Sequence, residues 1–271
     1  MSINNHKKIK LTVCHMIFIL IMVSGSAAFA ARGSLSLVSM GTGDPDNMTI
    51  RAKKTIDAAD LFFVMGGKNR YPELINDKPV YNAEHGLFGK GGARPRRSPE
   101  EAEKLRIENR KIIRDAVTAG KNVVILDNGD PCIFGPHIGY MEEFSDLKPV
   151  LVPGISSFNA ANAVLKTSVV KGDARAVMLT IGSVENGRDE FLARQISDGI
   201  TLVFFMVRDM DKFISAMGAK LPGDTPAAVI SNAGSSEKEK LITAKLSTLK
   251  ASINGVDLGP FLLYIGESVK Q

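Results

Sequence analysis

The sequence predicts an α/β protein built as two α/β domains with a cofactor cleft between them. Three observations lead there. Short apolar runs alternate with stretches of helical periodicity along most of the chain. The alternation restarts after Pro153-Gly154, dividing the chain into halves at 34–150 and 151–271, each the size of a small domain. Several apolar runs end in glycine-rich turns, and folds of this class bind ligands outside the carboxyl ends of their strands.

The elements follow in order. SLSLVSM (34–40) reads as the first strand, and Gly41-Thr42-Gly43 turns out of it. Residues 46–59 have helical spacing, with Met48, Ile50, Ala52, Ile56 and Ala59 on one stripe and Asp46 as the expected cap. LFFVM (61–65) is a short, fully apolar strand of the kind covered on both faces. KPVYN (78–82) is a further strand. EHGLFGKGGARPRRSP (84–99), with four glycines and two prolines, reads as a long loop. Ser98 then caps a helix to Ala119, with Pro99 in its first turn and Glu101 at the capping-box position. VVILD (123–127) is a buried strand, 136–145 a helix and PVLVPG (149–154) a strand. The second half reads as helix 155–165, strand 175–182, helix 189–197, strand 201–207, helix 209–219 and strand 225–232. A stretch leading into a helix follows over 235–253, and the strand FLLYIGE (261–267) closes the pattern.

Composition bounds the function. The chain has 271 residues, 34 basic and 29 acidic, a formal charge of +5. Lys7, Lys8 and Lys10 precede the apolar run LTVCHMIFILIMV, and SGSAAFA follows with Ala28 and Ala30 in small-x-small spacing. This is the pattern of a secretory signal peptide cleaved after Ala30, or of an uncleaved amino-terminal anchor, over residues 1–30. Export to a periplasmic or other extracytoplasmic compartment, or anchoring in a membrane through those residues, is the expectation. Residues 1–30 hold three lysines and no acid, so the remainder is nearly neutral and carries no broad electrostatic footprint for nucleic acid. Beyond Cys14 only Cys132 remains, so no internal disulfide is expected there. With His85 and His137 the other soft ligands, no metal site is expected.

Three stretches carry chemistry. GTGDPD (41–46) is a strand-ending turn whose glycines let backbone approach a ligand. It is not the dinucleotide fingerprint, because Asp46 stands where the third glycine would be. NGDPCIF (128–134) repeats Gly-Asp-Pro after the strand 123–127. Its carboxylate can accept from a ribose diol or an amino group, and Ile133 or Phe134 can cover a flat base. VPGISSF (152–158) places Ser156 and Ser157 at a helix start, where free N–H groups gather. Each stretch taken alone reads first as an ordinary turn or cap. No GxSxG motif supports a serine hydrolase.

In order and spacing these stretches resemble the tetrapyrrole methylases, the S-adenosylmethionine-dependent methyltransferases of corrin and sirohaem synthesis. LVSMGTGDPDNMTIRA resembles the family's first glycine-rich loop and helix, VVILDNGDPCIFG its central strand and Gly-Asp-Pro motif, and VPGISSFNAANAVL its Pro-Gly segment. TLVFFMV, TPAAVISNA and GPFLLYIGE resemble its three carboxyl-terminal strands. The resemblance implies that both Gly-Asp-Pro turns face one interdomain cleft, the first bordering the tetrapyrrole and the second holding the cofactor. It implies cofactor contacts from Asn128, Gly129, Asp130, Ile133, Ser156, Ser157, Met206 and Ala233, with Thr42 standing where many members have proline. It also implies a small-molecule tetrapyrrole acceptor and a homodimer. Met65 stands where the uroporphyrinogen branch has an aspartate, which argues against that branch, and Ala233 stands where the family has a glycine.

Methyl transfer from a sulfonium asks a protein mainly to align donor and acceptor. Glu84 and His85 are the proton-handling candidates, and Arg94, Arg96 and Arg97 are candidates to grip the carboxylates that fringe a tetrapyrrole. Three alternatives stand beside this reading: a methyltransferase of the same fold with another acceptor, an exported binding protein that keeps the pocket without turnover, and a non-catalytic scaffold.

Overall fold

The computed structural model describes residues 33–67, 71–89 and 95–270. The signal or anchor expected over residues 1–30, and Arg94 of the loop, lie outside these. Among the described residues no helix is long and apolar enough to cross a membrane.

The first sheet is parallel throughout. Its strands are β1 (Leu35–Ser39), β2 (Leu61–Val64), β3 (Val80–Asn82), β4 (Val123–Asp127) and β5 (Val150–Val152), in the spatial order β3-β2-β4-β1-β5. β1 and β4 are neighbours in register, with Leu35 opposite Val123 and Ser39 opposite Asp127, so their carboxyl ends lie side by side. Side chains alternate between two cores. Leu35, Leu37, Phe63, Val123 and Ile125 face α3 (Pro99–Thr118) and Tyr140 of the short helix α4 (Gly139–Glu143). Val38, Phe62, Val124 and Leu126 face Ala52 and Ile56 of α1 (Ile50–Asp57) and Ile75 of the one-turn helix α2 (Pro72–Ile75). Burial on both faces is why β2 and β4 are almost unbroken apolar runs, while in β1 the small buried Ser36 and Ser39 interrupt the run. Each fully buried Leu, Ile or Phe contributes about 2 kcal/mol of transfer free energy.

The second sheet is mixed. Its strands β6 (Ala176–Ile181), β7 (Ile200–Phe205), β8 (Pro226–Ser231), β9 (Lys240–Lys245) and β10 (Phe261–Ile265) are ordered β6-β7-β10-β8-β9. β6 and β7 are parallel, and β10 runs antiparallel between β7 and β8. The start of β10 therefore lies beside the carboxyl ends of β7 and β8. One face packs on α6 (Arg188–Ser197), α7 (Met210–Gly218) and α8 (Leu246–Ile253). The other face holds Val203, Phe205, Ile230 and Tyr264 against Ala161 and Phe158 of α5 (Ser157–Leu165), with Ile133 from the first half packed on the same cluster.

The structure corrects three readings. The helix expected over 46–59 begins later: Pro45–Asn47 is a 3-10 turn, and the hydroxyl of Thr49, not Asp46, caps α1 by accepting from the Ala52 amide at 3.1 Å. The helix expected over 136–145 is shorter, beginning at Gly139, and leaves the α-helical conformation at Phe144 (φ −111°) before a 3-10 turn at Ser145–Leu147. The stretch read as leading into a helix holds β9, antiparallel to β8, before α8. By contrast, Ser98 and Glu101 form the expected capping box, and Gly120 at φ +81° follows the end of α3.

Candidate active site

The two Gly-Asp-Pro turns meet. The Met40 amide donates to the Asp127 carbonyl at 2.8 Å and the Gly129 amide to the Gly41 carbonyl at 2.7 Å, extending the β1–β4 pair into the turns. The buried Ser39 hydroxyl donates to the Gly129 carbonyl and accepts from the Gly41 amide at 3.0 Å. The second turn is closed by its own aspartate: Asp130 Oδ1 accepts from the Cys132 amide at 2.8 Å.

The first turn also reaches the second sheet. The Asp44 amide donates to the Gly234 carbonyl at 2.8 Å, and Asn47 Nδ2 donates to that same carbonyl at 2.9 Å and to the Thr42 carbonyl at 3.0 Å. Asp44 Oδ2 accepts from the Ser236 amide at 2.7 Å. Hydrogen bonds from Ser236 hold the Asp44 carboxyl below its ordinary value. Gly43, at φ +77°, has no room for a side chain, because a Cβ there would lie 2.1 Å from the Gly234 carbonyl group. Thr42–Asn47 is thus a strap between the sheets.

Beside this strap lies a cleft of about 500 Å³, within the range of small-molecule sites. Its apolar wall comes from Phe205, Ile230, Phe261 and Leu262, and its polar groups include Ser157 and Asn232. Met206 at φ +54° and Asn232 at φ +47° hold the left-handed conformation that non-glycine residues rarely adopt. Both follow strand ends directly, where such a conformation turns the chain along the cleft. Phe134, also left-handed, is 43% exposed and sits tilted against Phe205, 5.1 Å between ring centroids and 55° between ring planes.

The sequence-predicted cofactor residues divide. Thr42, Ser157, Met206 and Ala233 line the cleft. Gly129 abuts the start of α5, where a Cβ would sit 3.8 Å from the Ser156 Cα and the Ser157 nitrogen. Ser156 is buried and commits its hydroxyl to Asn159, accepting from the amide at 3.2 Å and donating to Oδ1 at 2.7 Å. Ile133 packs into the cluster with Phe205 and Ala233, and Phe134 is the apolar side chain that stays exposed. Asn128 is exposed and accepts from the Tyr71 hydroxyl at 3.1 Å.

The proton-handling and carboxylate-gripping candidates meet each other. Arg97 Nε donates to Glu84 Oε2 at 2.7 Å. Burial alone would raise the Glu84 carboxyl, but the hydrogen bond and charge of Arg97, with amides of Arg96 and His85, outweigh it and hold it below its ordinary value. Glu84 is thus a bound carboxylate. Arg96 is exposed.

Sequence reasoning missed Phe205, Asn232, Phe261 and Lys238 on the cleft wall. The signal available was adjacency, since Phe205 and Asn232 precede Met206 and Ala233. It also missed a buried pair under the second turn, His137 Nδ1 and Asp127 Oδ2 at 3.3 Å.

The family model for tetrapyrrole (corrin/porphyrin) methylases matches residues 34–250. A uroporphyrinogen-III C-methyltransferase of Bacillus subtilis is 30% identical over 248 residues, covering 88% of this chain and 91% of that one. A siroheme synthase of Hydrogenovibrio crunogenus is 28% identical over 247 residues, 88% of this chain and 50% of its own length. The chain spans about half the length of that synthase. A solved uroporphyrin-III C-methyltransferase of Thermus thermophilus, complexed with S-adenyl homocysteine, shares the fold at a TM-score of 0.61 and 23% identity, covering 88% of this chain and 99% of that one. With a family match across most of its length, this chain belongs to the tetrapyrrole (corrin/porphyrin) methylases.

Proposed function

We propose that the protein is an S-adenosylmethionine-dependent methyltransferase whose acceptor is a tetrapyrrole precursor of the corrin or porphyrin kind. The observation that carries this reading is the hydrogen-bonded pair of Gly-Asp-Pro turns beside a cleft lined by Thr42, Ser157, Met206 and Ala233. The curated relatives named as uroporphyrinogen-III C-methyltransferase and siroheme synthase support the reaction class and the acceptor class. The residues fit the cofactor: apolar side chains of Phe205 and the exposed Met206 can cover an adenine, and Ser157 and Asn232 offer hydrogen-bonding groups.

When bound, S-adenosylmethionine supplies an electrophilic methyl group. The protein's contribution is alignment. The Gly41–Gly129 hydrogen bond fixes the two turns together, and the Asp44–Ser236 and Asn47–Gly234 contacts fix the first turn to the second sheet. A nucleophilic pyrrolic carbon needs little activation, so the reading asks for no general base, and Glu84 is held as a carboxylate by Arg97. The lysine-flanked apolar start supports export or anchoring through residues 1–30, and amino-terminal sequencing of the protein from cell fractions tests that.

Calorimetric titration of S-adenosylhomocysteine into the protein tests the cofactor assignment. The expected result is binding of about −8 kcal/mol, weakened in Asp130→Ala. A folded protein that binds no adenosyl ligand contradicts it.

A further inference from the structure

Lys238 is the one charged side chain among the described residues that line the cleft, and no carboxylate lines it. No ion pair with another described residue engages its ammonium. Its backbone is held firmly. The Lys238 amide donates to the Ser235 carbonyl at 3.2 Å, and its carbonyl accepts from Asn232 Nδ2 at 3.4 Å. The turn that carries it is tied on both sides: Asn232 donates through its amide to the Pro260 carbonyl at 2.8 Å, and Ser236 donates to Asp44 at 2.7 Å. An exposed cation on a fixed backbone thus stands at a mostly apolar cleft, where it is the one charged group available to a carboxylate.

Of the arginines expected to meet ligand carboxylates, Arg97 is committed elsewhere, since it is bonded to Glu84. Resting on the methyltransferase reading, we propose that Lys238 is a specificity-determining residue that binds a carboxylate of the ligand. Two sources share this chemistry: the amino-acid end of the cofactor, and the acid side chains at the rim of a tetrapyrrole precursor.

Lys238→Met, with Lys238→Arg as the charge-conserving control, separates them. Lys238 is exposed, so the variant keeps its fold. S-adenosylmethionine and its decarboxylated analogue are titrated into each protein by calorimetry, and uroporphyrin III, a stable oxidised tetrapyrrole, by fluorescence. If the carboxylate belongs to the cofactor, Lys238→Met weakens S-adenosylmethionine about tenfold, leaves the decarboxylated analogue unchanged, and Lys238→Arg recovers most of the loss. If it belongs to the acceptor, both cofactor affinities hold and uroporphyrin affinity falls by about the same factor. Affinities for all three ligands that stay within about twofold of the wild type, a difference of a few tenths of a kcal/mol, overturn the assignment. A wild-type protein that binds no S-adenosylmethionine overturns the methyltransferase reading, and this assignment falls with it.

Discussion

The amide of Gly129 donates to the carbonyl of Gly41 at 2.7 Å, which makes one hydrogen-bonded unit of two turns far apart in sequence. Both glycines have positive φ, +65° and +74°. The repeated Gly-Asp-Pro is thus a matched pair of strand ends, with β1 and β4 adjacent and parallel. Its two aspartates differ in task. Asp44 joins the sheets through Ser236, whereas Asp130 closes its own turn on Cys132.

The strap predicts unequal costs for adding one methyl group. Gly43→Ala places a Cβ 2.1 Å from the Gly234 carbonyl carbon and oxygen, backbone atoms that cannot move aside. It should destabilise the protein by about 3 kcal/mol or more. Gly129→Ala meets nothing closer than 3.8 Å and costs only the left-handed conformation, about 1–2 kcal/mol. Urea unfolding of the two variants measures the difference, and equal losses would show that the strap is not tight.

Neighbouring serines at the start of α5 should separate stability from binding. The Ser156 hydroxyl caps the Asn159 amide, so Ser156→Ala should cost about 1 kcal/mol of stability. Ser157 lines the cleft, so Ser157→Ala should change stability by less than about 0.5 kcal/mol and weaken cofactor binding. Thermal unfolding and calorimetry on both variants check this, and a reversed pattern would move the cofactor away from α5.

The Glu84–Arg97 pair predicts an acid dependence of stability. The Glu84 carboxyl is lowered on folding, so the pair's contribution is fully present above the unfolded carboxyl value and is lost as pH falls through the lowered folded value. Arg97→Met leaves Glu84 without its cation. Wild type and variant should differ in midpoint temperature at neutral pH and converge in acid. Parallel curves down to the acid limit would mean that the pair contributes nothing.

Tyr140 tests the core beneath the site. Its buried hydroxyl donates to the Ala83 carbonyl at 2.7 Å, and burial pushes its ionisation well above the usual tyrosine value. Tyr140→Phe leaves that carbonyl unpaired by this donor and should cost about 1–3 kcal/mol. Urea unfolding reads the loss, and an unchanged midpoint would show that the hydroxyl is replaceable by solvent.

Most of the fold is legible in the sequence because β1, β2 and β4 are covered on both faces, and such strands are predominantly apolar. β9 was hidden for the opposite reason. It is an edge strand with lysines at both ends, and only Ile242 and Ala244 pack on a core, so its pattern is too weak to stand out from the helix after it. The start of α1 was misplaced because Asp44 through Asn47 serve contacts with Gly234 and Ser236, nearly two hundred residues away. In the site, Met206 and Ala233 were reachable through family resemblance, but Phe205, Asn232 and Lys238 line the cleft only because β7, β8 and the turn after β8 converge there. The Arg97–Glu84 bond was not legible, since loop sequence carries no register.

The most direct test of the central claim is transfer of an isotopically labelled methyl group from S-adenosylmethionine to each of a set of corrin and porphyrin precursors, uroporphyrinogen III among them, by the purified protein, followed by mass spectrometry of the tetrapyrrole, with Asp130→Ala in parallel. Labelled methyl on the tetrapyrrole, greatly reduced in the variant, is the predicted result. Cofactor bound by the folded protein with no label transferred to any of these tetrapyrrole precursors would contradict the acceptor class and leave a family member that binds without this turnover.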